Sequence, residues 1–317
     1  MNRLSVVMYH YTRDLRNSRY PAIKGMDISL FREQIGFFTH HFKVVSMEEV
    51  IDACERNVSL PDNALLVTFD DGYIDHYVYA FPVLDEFGIQ GSFFVPGKTF
   101  STHCLLDVNK VHYILASGNE TDIARDLRGE MDRHRGNEFD FKSTDELYAE
   151  YGVPNRFDNG DTIFVKRMLQ TVLPERLRNL ISSKLFAKYV GISEEQLAHE
   201  LYLNEDQIRT MRRHGMHIGI HGYDHYWLGN LEPSEMRRDI DMALDTLGGF
   251  LDLSSWSIAY PYGSHNPDVL EYVHSKGAKV GLTTEVRVCD FSTDSPLLIP
   301  RLDCNDFPPK SDNYLKL

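Results

Sequence analysis

Residues 65–77 read Leu-Leu-Val-Thr-Phe-Asp-Asp-Gly-Tyr-Ile-Asp-His-Tyr. Five strand-forming residues run straight into two adjacent carboxylates, Asp70 and Asp71, and a glycine. A pair of charges at the end of a buried apolar run is costly unless something compensates it. Gly72 permits a tight turn and close backbone approach. A strand that delivers two acids to a turn points to a metal site or to a paired acid–base centre.

Outward from this stretch, short apolar runs alternate with helical patterns, the signature of a β/α fold with a mainly parallel sheet. Strands are expected at 4–9, 44–45, 64–69, 91–95, 217–220, 256–260, 278–282 and 298–302. Between them, Ser29 is placed to cap a helix through Phe38, and Ser46-Met-Glu-Glu49 is a capping box. Asn204 caps a helix through His214, Pro233–Leu247 reads as a helix, and Asn266-Pro267 opens another in N-cap/N1 order. Seven or eight mainly parallel strands suggest a distorted (β/α) barrel built from residues 1–99 and 204–317. Residues 100–203 break the alternation with long helical stretches at 108–117, 161–189 and 194–201. They read as a helical insertion, a lid or a subdomain.

Composition narrows the function classes. The 317 residues carry a net charge of −14, with 42% hydrophobic and 25% charged residues, ordinary values for a globular chain. That charge argues against nucleic acid or an anionic membrane as the main partner. Cys54, Cys104, Cys289 and Cys304 form no CxxC pair, which speaks against a zinc knuckle or redox motif and suits a reducing compartment. MNRLSVVMYHYTRD lacks the apolar core of a secretory signal, and no stretch reaches the ~20 apolar residues of a membrane span. The expectation is a cytoplasmic protein.

The second informative stretch is His217–Leu228, HIGIHGYDHYWL. His221 and His225 stand four apart just after a strand, so a helical turn or tight loop puts both imidazoles on one side. Two histidines and a carboxylate with one open position form a standard catalytic zinc arrangement, and Asp71 is the natural third ligand. The plainer reading, two unrelated histidines among the chain's 14, loses weight once Asp70-Asp71 sits on a preceding strand. The third stretch, Ser257–Asn266 (SIAYPYGSHN), ends a strand in Tyr-Pro-Tyr-Gly. Alone it reads as a rigid turn with packing tyrosines; following the histidine pair, it becomes a wall of the same site.

TFDDG, HGYDH and YPYG in this order, on successive β/α units, resemble the polysaccharide deacetylases of the NodB-homology type, carbohydrate esterase family four. The resemblance covers residues 1–99 and 204–302. It implies a distorted barrel and metal-dependent N- or O-deacetylation of an acetylated sugar. By that resemblance Asp70 matches the catalytic base, Asp71, His221 and His225 the metal ligands, and the backbone N–H of Tyr262 the oxyanion donor. The implied cofactor is a divalent ion, zinc first, with Co²⁺, Ni²⁺ and Fe²⁺ also suited to His₂Asp. The implied partner is an acetylated carbohydrate.

Two features of the resemblance are missing. Ser257, Ile258, Ala259 and Tyr260 stand where an arginine usually precedes the Pro-Tyr pair, and the last 40 residues hold no histidine to act as general acid. Arg301, in LLIPRLD, is the candidate replacement arginine, with Asp70 as partner and Asp303 as the bland competitor. His10, after the first strand, and His265, after YPYGS, are the candidate acids, His10 preferred. Asp75, His76, His103, His112 and His274 read as surface residues. Two other functions stay open: another C–N hydrolase on the same scaffold, such as a deformylase or cyclic-amide hydrolase, and a carbohydrate-binding protein that has lost its acid.

Overall fold

Alternation of apolar runs with helices produces a curled, mainly parallel sheet. The structure, a computed structural model, describes residues 3–56, 58–155 and 158–317. Its strands are β1 (Arg3–Tyr9), β2 (Thr12–Arg13), β3 (Met26–Asp27), β4 (Lys43–Val44), β5 (Ala64–Phe69), β6 (Ser92–Val95), β7 (His217–Ile220), β8 (Trp256–Ala259), β9 (Ala278–Leu282), β10 (Cys289–Asp290) and β11 (Leu302–Asp303). The hydrogen-bonded order is β10-β1-β5-β6-β7-β8-β9, with β4 beside β5 and β11 beside β1. Within this sheet only the β1–β10 pair is antiparallel among the described residues.

The strand expected at 298–302 is not one strand. Ile299 bridges Leu282 of β9, and Thr283 N–H donates to Ile299 carbonyl at 2.9 Å. Three residues later Leu302 pairs with Val7 of β1. This irregular segment spans the gap between β9 and β1 and makes the barrel a distorted one. It also leaves Arg301 between two partial ladders, with its side chain fully buried.

The β5 strand is buried at all six positions, as expected for a parallel strand covered on both faces. Its alternate residues enter different clusters. Leu65, Val67 and Phe69 pack with Phe31, Ile35 and Phe38 of the helix Ile28–His41. Ala64 and Leu66 pack with Leu4, Val6, Phe94 and Val280, joined by Met47, Val50 and Ile51 of the helix Met47–Arg56. The first of these helices begins earlier than Ser29. Asp27 is its N-cap, accepting from Ser29 N–H at 3.0 Å.

Two compact units emerge. One comprises Met1–Asp14, Gly25–His103 and Leu201–Leu317; the other comprises Leu15–Lys24 and Cys104–Glu200. The second is helical. The continuous helix expected over 161–189 is broken into Gly160–Arg167, a π-helical turn Met168–Val172, and Glu175–Tyr189. Pro174 is the cause, because it lacks an N–H and drives Leu173 into extended backbone (φ −73°, ψ 151°). Two further helices, Glu120–His134 and Thr144–Tyr151, lie where the sequence reads as polar connection. The second carries a capping box, Ser143 with Glu146. The segment Leu15–Lys24 is tied into this unit by Tyr20, whose hydroxyl donates to Val190 carbonyl at 3.1 Å and whose ring meets Tyr113 edge-on.

Candidate metal centre

Parallel register brings the three motifs together. The pairing of Tyr9 with Phe69 sets His10 beside Asp70, whose N–H donates to Tyr9 carbonyl at 2.9 Å. The pairing of Val95 with Ile220, and of Ile220 with Ile258, sets His221 beside the end of β8. Every candidate residue except Arg301 follows the C-terminal end of a strand, where open and closed α/β sheets carry their ligands.

Asp71, His221 and His225 present ligand atoms within 4.8 Å of one another, and all three residues are buried. Nε2 of His221 lies 3.3 Å and Nε2 of His225 3.1 Å from Oδ1 of Asp71. Oδ1 is itself buried and makes no hydrogen bond. A buried carboxylate oxygen left unsatisfied beside two imidazole nitrogens is the arrangement expected of a cation site, so the donor set fits a divalent metal. His221 and the second oxygen of Asp71 are held in ligand orientation. His221 Nδ1–H donates to Ala259 carbonyl at 2.6 Å, leaving Nε2 as the lone-pair atom. Tyr73 hydroxyl donates to Asp71 Oδ2 at 2.5 Å. Burial opposes ionisation of Asp71, but His221 and His225 outweigh it and hold the carboxyl well below its usual range.

The HGYDH stretch is a loop, the second of the two conformations expected, and it brings the imidazoles edge-to-face with ring centroids 4.8 Å apart. Gly222 (φ +66°) and His225 (φ +60°) both take left-handed backbone. The loop is seated on Asp239 of the helix Pro233–Leu247, whose oxygens accept Tyr223 N–H and Asp224 N–H, each at 2.8 Å. Burial pushes the Asp239 carboxyl up to about 6 despite those two donors.

Asp70 is held differently from its neighbour. Arg301 donates Nη1–H to Oδ1 at 2.8 Å and Nη2–H to Oδ2 at 2.7 Å, and its Nε–H goes to Thr283 carbonyl at 2.8 Å. Asp303, the competing partner, caps a short turn by accepting Asn305 N–H. Burial raises the Asp70 carboxyl; Arg301 and then His221 overcome this and keep it below its usual value.

Of the two candidate acids, His10 is half-buried, and charge on it is felt at both Asp70 and Asp71. His265 is exposed, with Nδ1–H turned back to Gly263 carbonyl at 2.9 Å. Tyr262 takes left-handed backbone (φ 58°, ψ 12°) between Pro261 and Gly263. Its ring meets His225 edge-on at 4.8 Å and stacks on Trp227 at 4.6 Å.

Asp75 and His76 are not surface residues. Asp75 is buried and pairs with Arg13 at 2.7 Å. His76 is fully buried and donates Nε2–H to His10 carbonyl at 2.9 Å, and burial pushes it down to about 4, so it is neutral. Both sit one turn past TFDDG, where the helix enters the core. His103 and His274 are exposed, as expected.

A family model described as polysaccharide deacetylase matches residues 57–136 and 157–281, well over half of the chain. The chain belongs to the polysaccharide deacetylase family. This deacetylase-family chain is 28% identical over 91 residues to YxkH of Bacillus subtilis (strain 168), named "Putative polysaccharide deacetylase"; the match spans 29% of this chain and 33% of YxkH, a third of that relative's length. Its fold is shared by solved deacetylases. The Streptococcus pyogenes deacetylase PplD, in complex with acetate, aligns with a TM-score of 0.57 at 17% identity over 99% of this chain and 97% of its own. IcaB from Ammonifex degensii aligns at 0.57 and 19% identity over 100% and 98%. A de-N-acetylase from Aggregatibacter actinomycetemcomitans aligns at 0.59 and 14% identity over 98% and 99%. Among the described residues, no helix is long and apolar enough to cross a membrane.

Three supporting residues escaped the sequence: Tyr73, Asp239 and Trp227. Asp239 left a signal. It sits on the inward stripe of its helix with Met236, Ile240, Ala243 and Leu247, where an acid needs a reason.

Proposed function

We propose that this chain is a metal-dependent hydrolase that removes the acetyl group from an N-acetylated sugar unit. The observation that carries the reading is the division of the adjacent acids. Asp71 faces His221 and His225 with a bare oxygen, while Asp70, one residue away, is gripped by Arg301. Binding alone does not call for the second acid. The solved proteins of the same fold named deacetylase and de-N-acetylase support the choice of an acetyl amide.

Asp71, His221 and His225 would hold the ion, zinc by preference, with Co²⁺, Ni²⁺ or Fe²⁺ compatible with the same donors. When bound, such an ion polarises the acetyl carbonyl and lowers the pKa of a water toward about 7. Asp70, kept ionised by Arg301, accepts the proton of the attacking water. The N–H of Tyr262 donates to the oxyanion, a contact worth about 3 kcal/mol in comparable holes. His10 donates the proton that the departing amine requires, so the amide yields acetate and a free amino sugar. The barrel segments 1–99 and 204–317 carry this chemistry in the proposal, and 100–203 is a separate helical subdomain.

The test is release of acetate from N-acetylglucosamine oligomers by the zinc-loaded protein. Asp70→Asn should retain zinc and lose about 10²–10⁴-fold in kcat, and chelation should abolish turnover. Formate release or ring opening of a cyclic amide, with no acetate, would transfer the reading to another C–N hydrolase. Tight stoichiometric metal without hydrolysis of any acetylated sugar would overturn it.

A further inference from the structure

We propose that Asp239 is a positioning residue for the metal centre, setting the HGYDH loop so that both imidazoles converge on one ion. The proposal rests on the metal reading above and extends it to a helix residue that touches neither ligand side chain.

Three residues, Gly222, Tyr223 and Asp224, connect His221 to His225, and their course is fixed from two sides. Both oxygens of Asp239 are occupied by this loop: one accepts Tyr223 N–H and the other Asp224 N–H, each at 2.8 Å. From the opposite side, Gly97 N–H and Lys98 N–H donate to the carbonyls of Gly222 and Tyr223 at 3.0 and 3.1 Å. The carboxylate thus takes the loop's N–H groups while the start of the helix Gly97–Thr102 takes its carbonyls. Lys98 Nζ adds a contact to Asp224 at 2.7 Å.

The fit is close. A Cβ on Gly222 would stand 2.9 Å from Asp239 Oδ1, and Gly222 takes φ +66°, so the turn after His221 is shaped against this side chain. Asp239 is 4% exposed, on a helix stripe otherwise apolar. An apolar residue in its place would leave Tyr223 N–H and Asp224 N–H, in the loop that joins the two histidines, without their acceptor. Groups that orient metal ligands typically control metal affinity by about 10–100-fold.

The experiment is zinc affinity of the metal-free chain, measured by competition with a chromophoric chelator, with urea unfolding recorded alongside. Asp239→Asn keeps one acceptor and loses the other; the expected result is zinc binding weakened by about tenfold or more. His225→Ala is the control for the metal reading. If His225→Ala leaves affinity unchanged, the metal reading fails and this inference with it. If His225→Ala weakens binding and Asp239→Asn stays within twofold of the parent, the inference alone fails, even where the unfolding midpoint drops. Should Asp239→Asn not fold, Gly222→Ala pushes the loop off the same carboxylate. It is expected to weaken zinc binding likewise, and unchanged affinity there overturns the proposal.

Discussion

Replacing Arg301 by methionine isolates what holds Asp70 ionised. The arginine is fully buried and spends both terminal nitrogens on Asp70 and its Nε on Thr283 carbonyl. Removing one partner of a buried pair leaves an uncompensated charge and costs about 3–5 kcal/mol. That is a large part of the roughly 5–15 kcal/mol that folds a domain. The sign of its pH dependence is the sharper test. In the parent, Arg301 holds the Asp70 carboxyl below its usual value, so its contribution is in place above the unfolded value and is lost as pH falls through the folded one. In R301M, burial acts with Arg301 gone, the carboxyl rises above its usual value, and stability is lost as pH rises. The stability gap between parent and variant should therefore be widest near neutrality and close toward pH 4. Urea unfolding of the metal-free proteins across this range measures it, and the acid limb of kcat/KM should move to higher pH in step. A gap below 1 kcal/mol, or one that does not change with pH, would refute the account.

Two further outcomes follow from the same neighbourhood. His76 is buried neutral with its pKa pushed down to about 4, so below an ordinary 6.5 the unfolded chain takes a proton that the folded chain refuses. Stability should fall by about 3 kcal/mol between pH 6.5 and 4 from this group. His76→Gln should remove that part of the loss, and parallel urea titrations of parent and variant would expose its absence. Tyr73→Phe deletes the hydroxyl that donates to Asp71 Oδ2 while keeping the ring stacked on Tyr11 at 4.1 Å. Zinc affinity should weaken by about 10–100-fold; unchanged affinity would reduce Tyr73 to a packing residue.

What the sequence displayed and what it hid divide along physical lines. Strands β5, β7 and β9 and the helix Pro233–Leu247 were legible because one periodicity and a clear stop signal governed each. The strand at 298–302 was not, since apolar composition alone does not reveal that a segment changes ladder partners midway. Glu120–His134 was hidden by its polarity, although Asn119 caps it and Ile123, Leu127 and Met131 are its buried face. The residues facing the site were legible because chemistry restricts their types. Asp239 and Tyr73 were not, because each acts through a hydrogen bond set by tertiary packing. His76 was misread because helical phase after TFDDG depends on where the turn at Gly72 releases the chain. That turn passes into a π-helical segment, which rotates the face presented to the core.

The turns themselves carry the last step. Five non-glycine residues in the described chain take positive φ, and Asp71, His225 and Tyr262 are three of them. Asn63 sits in a turn and His103 ends a helix, ordinary places for such backbone. The site residues have no such excuse, and each costs on the order of 1–3 kcal/mol in strain. Asp71 and Tyr262 are each followed by a glycine that is also left-handed, Gly72 at φ +62° and Gly263 at φ +68°. Two successive left-handed residues turn the chain sharply at the strand end, so the side chain of the first stays at the rim while the backbone departs. Neither glycine tolerates a replacement, since a Cβ on Gly72 would meet Val95 at 3.0 Å and one on Gly263 would meet Thr284 Oγ1 at 2.4 Å. The glycines of TFDDG and YPYG are thus the second halves of strained turns whose first halves are Asp71, the proposed metal ligand, and Tyr262, the proposed oxyanion donor. The surrounding sheet holds that strain: Leu203 N–H on Gly72 carbonyl at 2.9 Å and Asp70 N–H on Tyr9 carbonyl at 2.9 Å pin the acid turn from both sides.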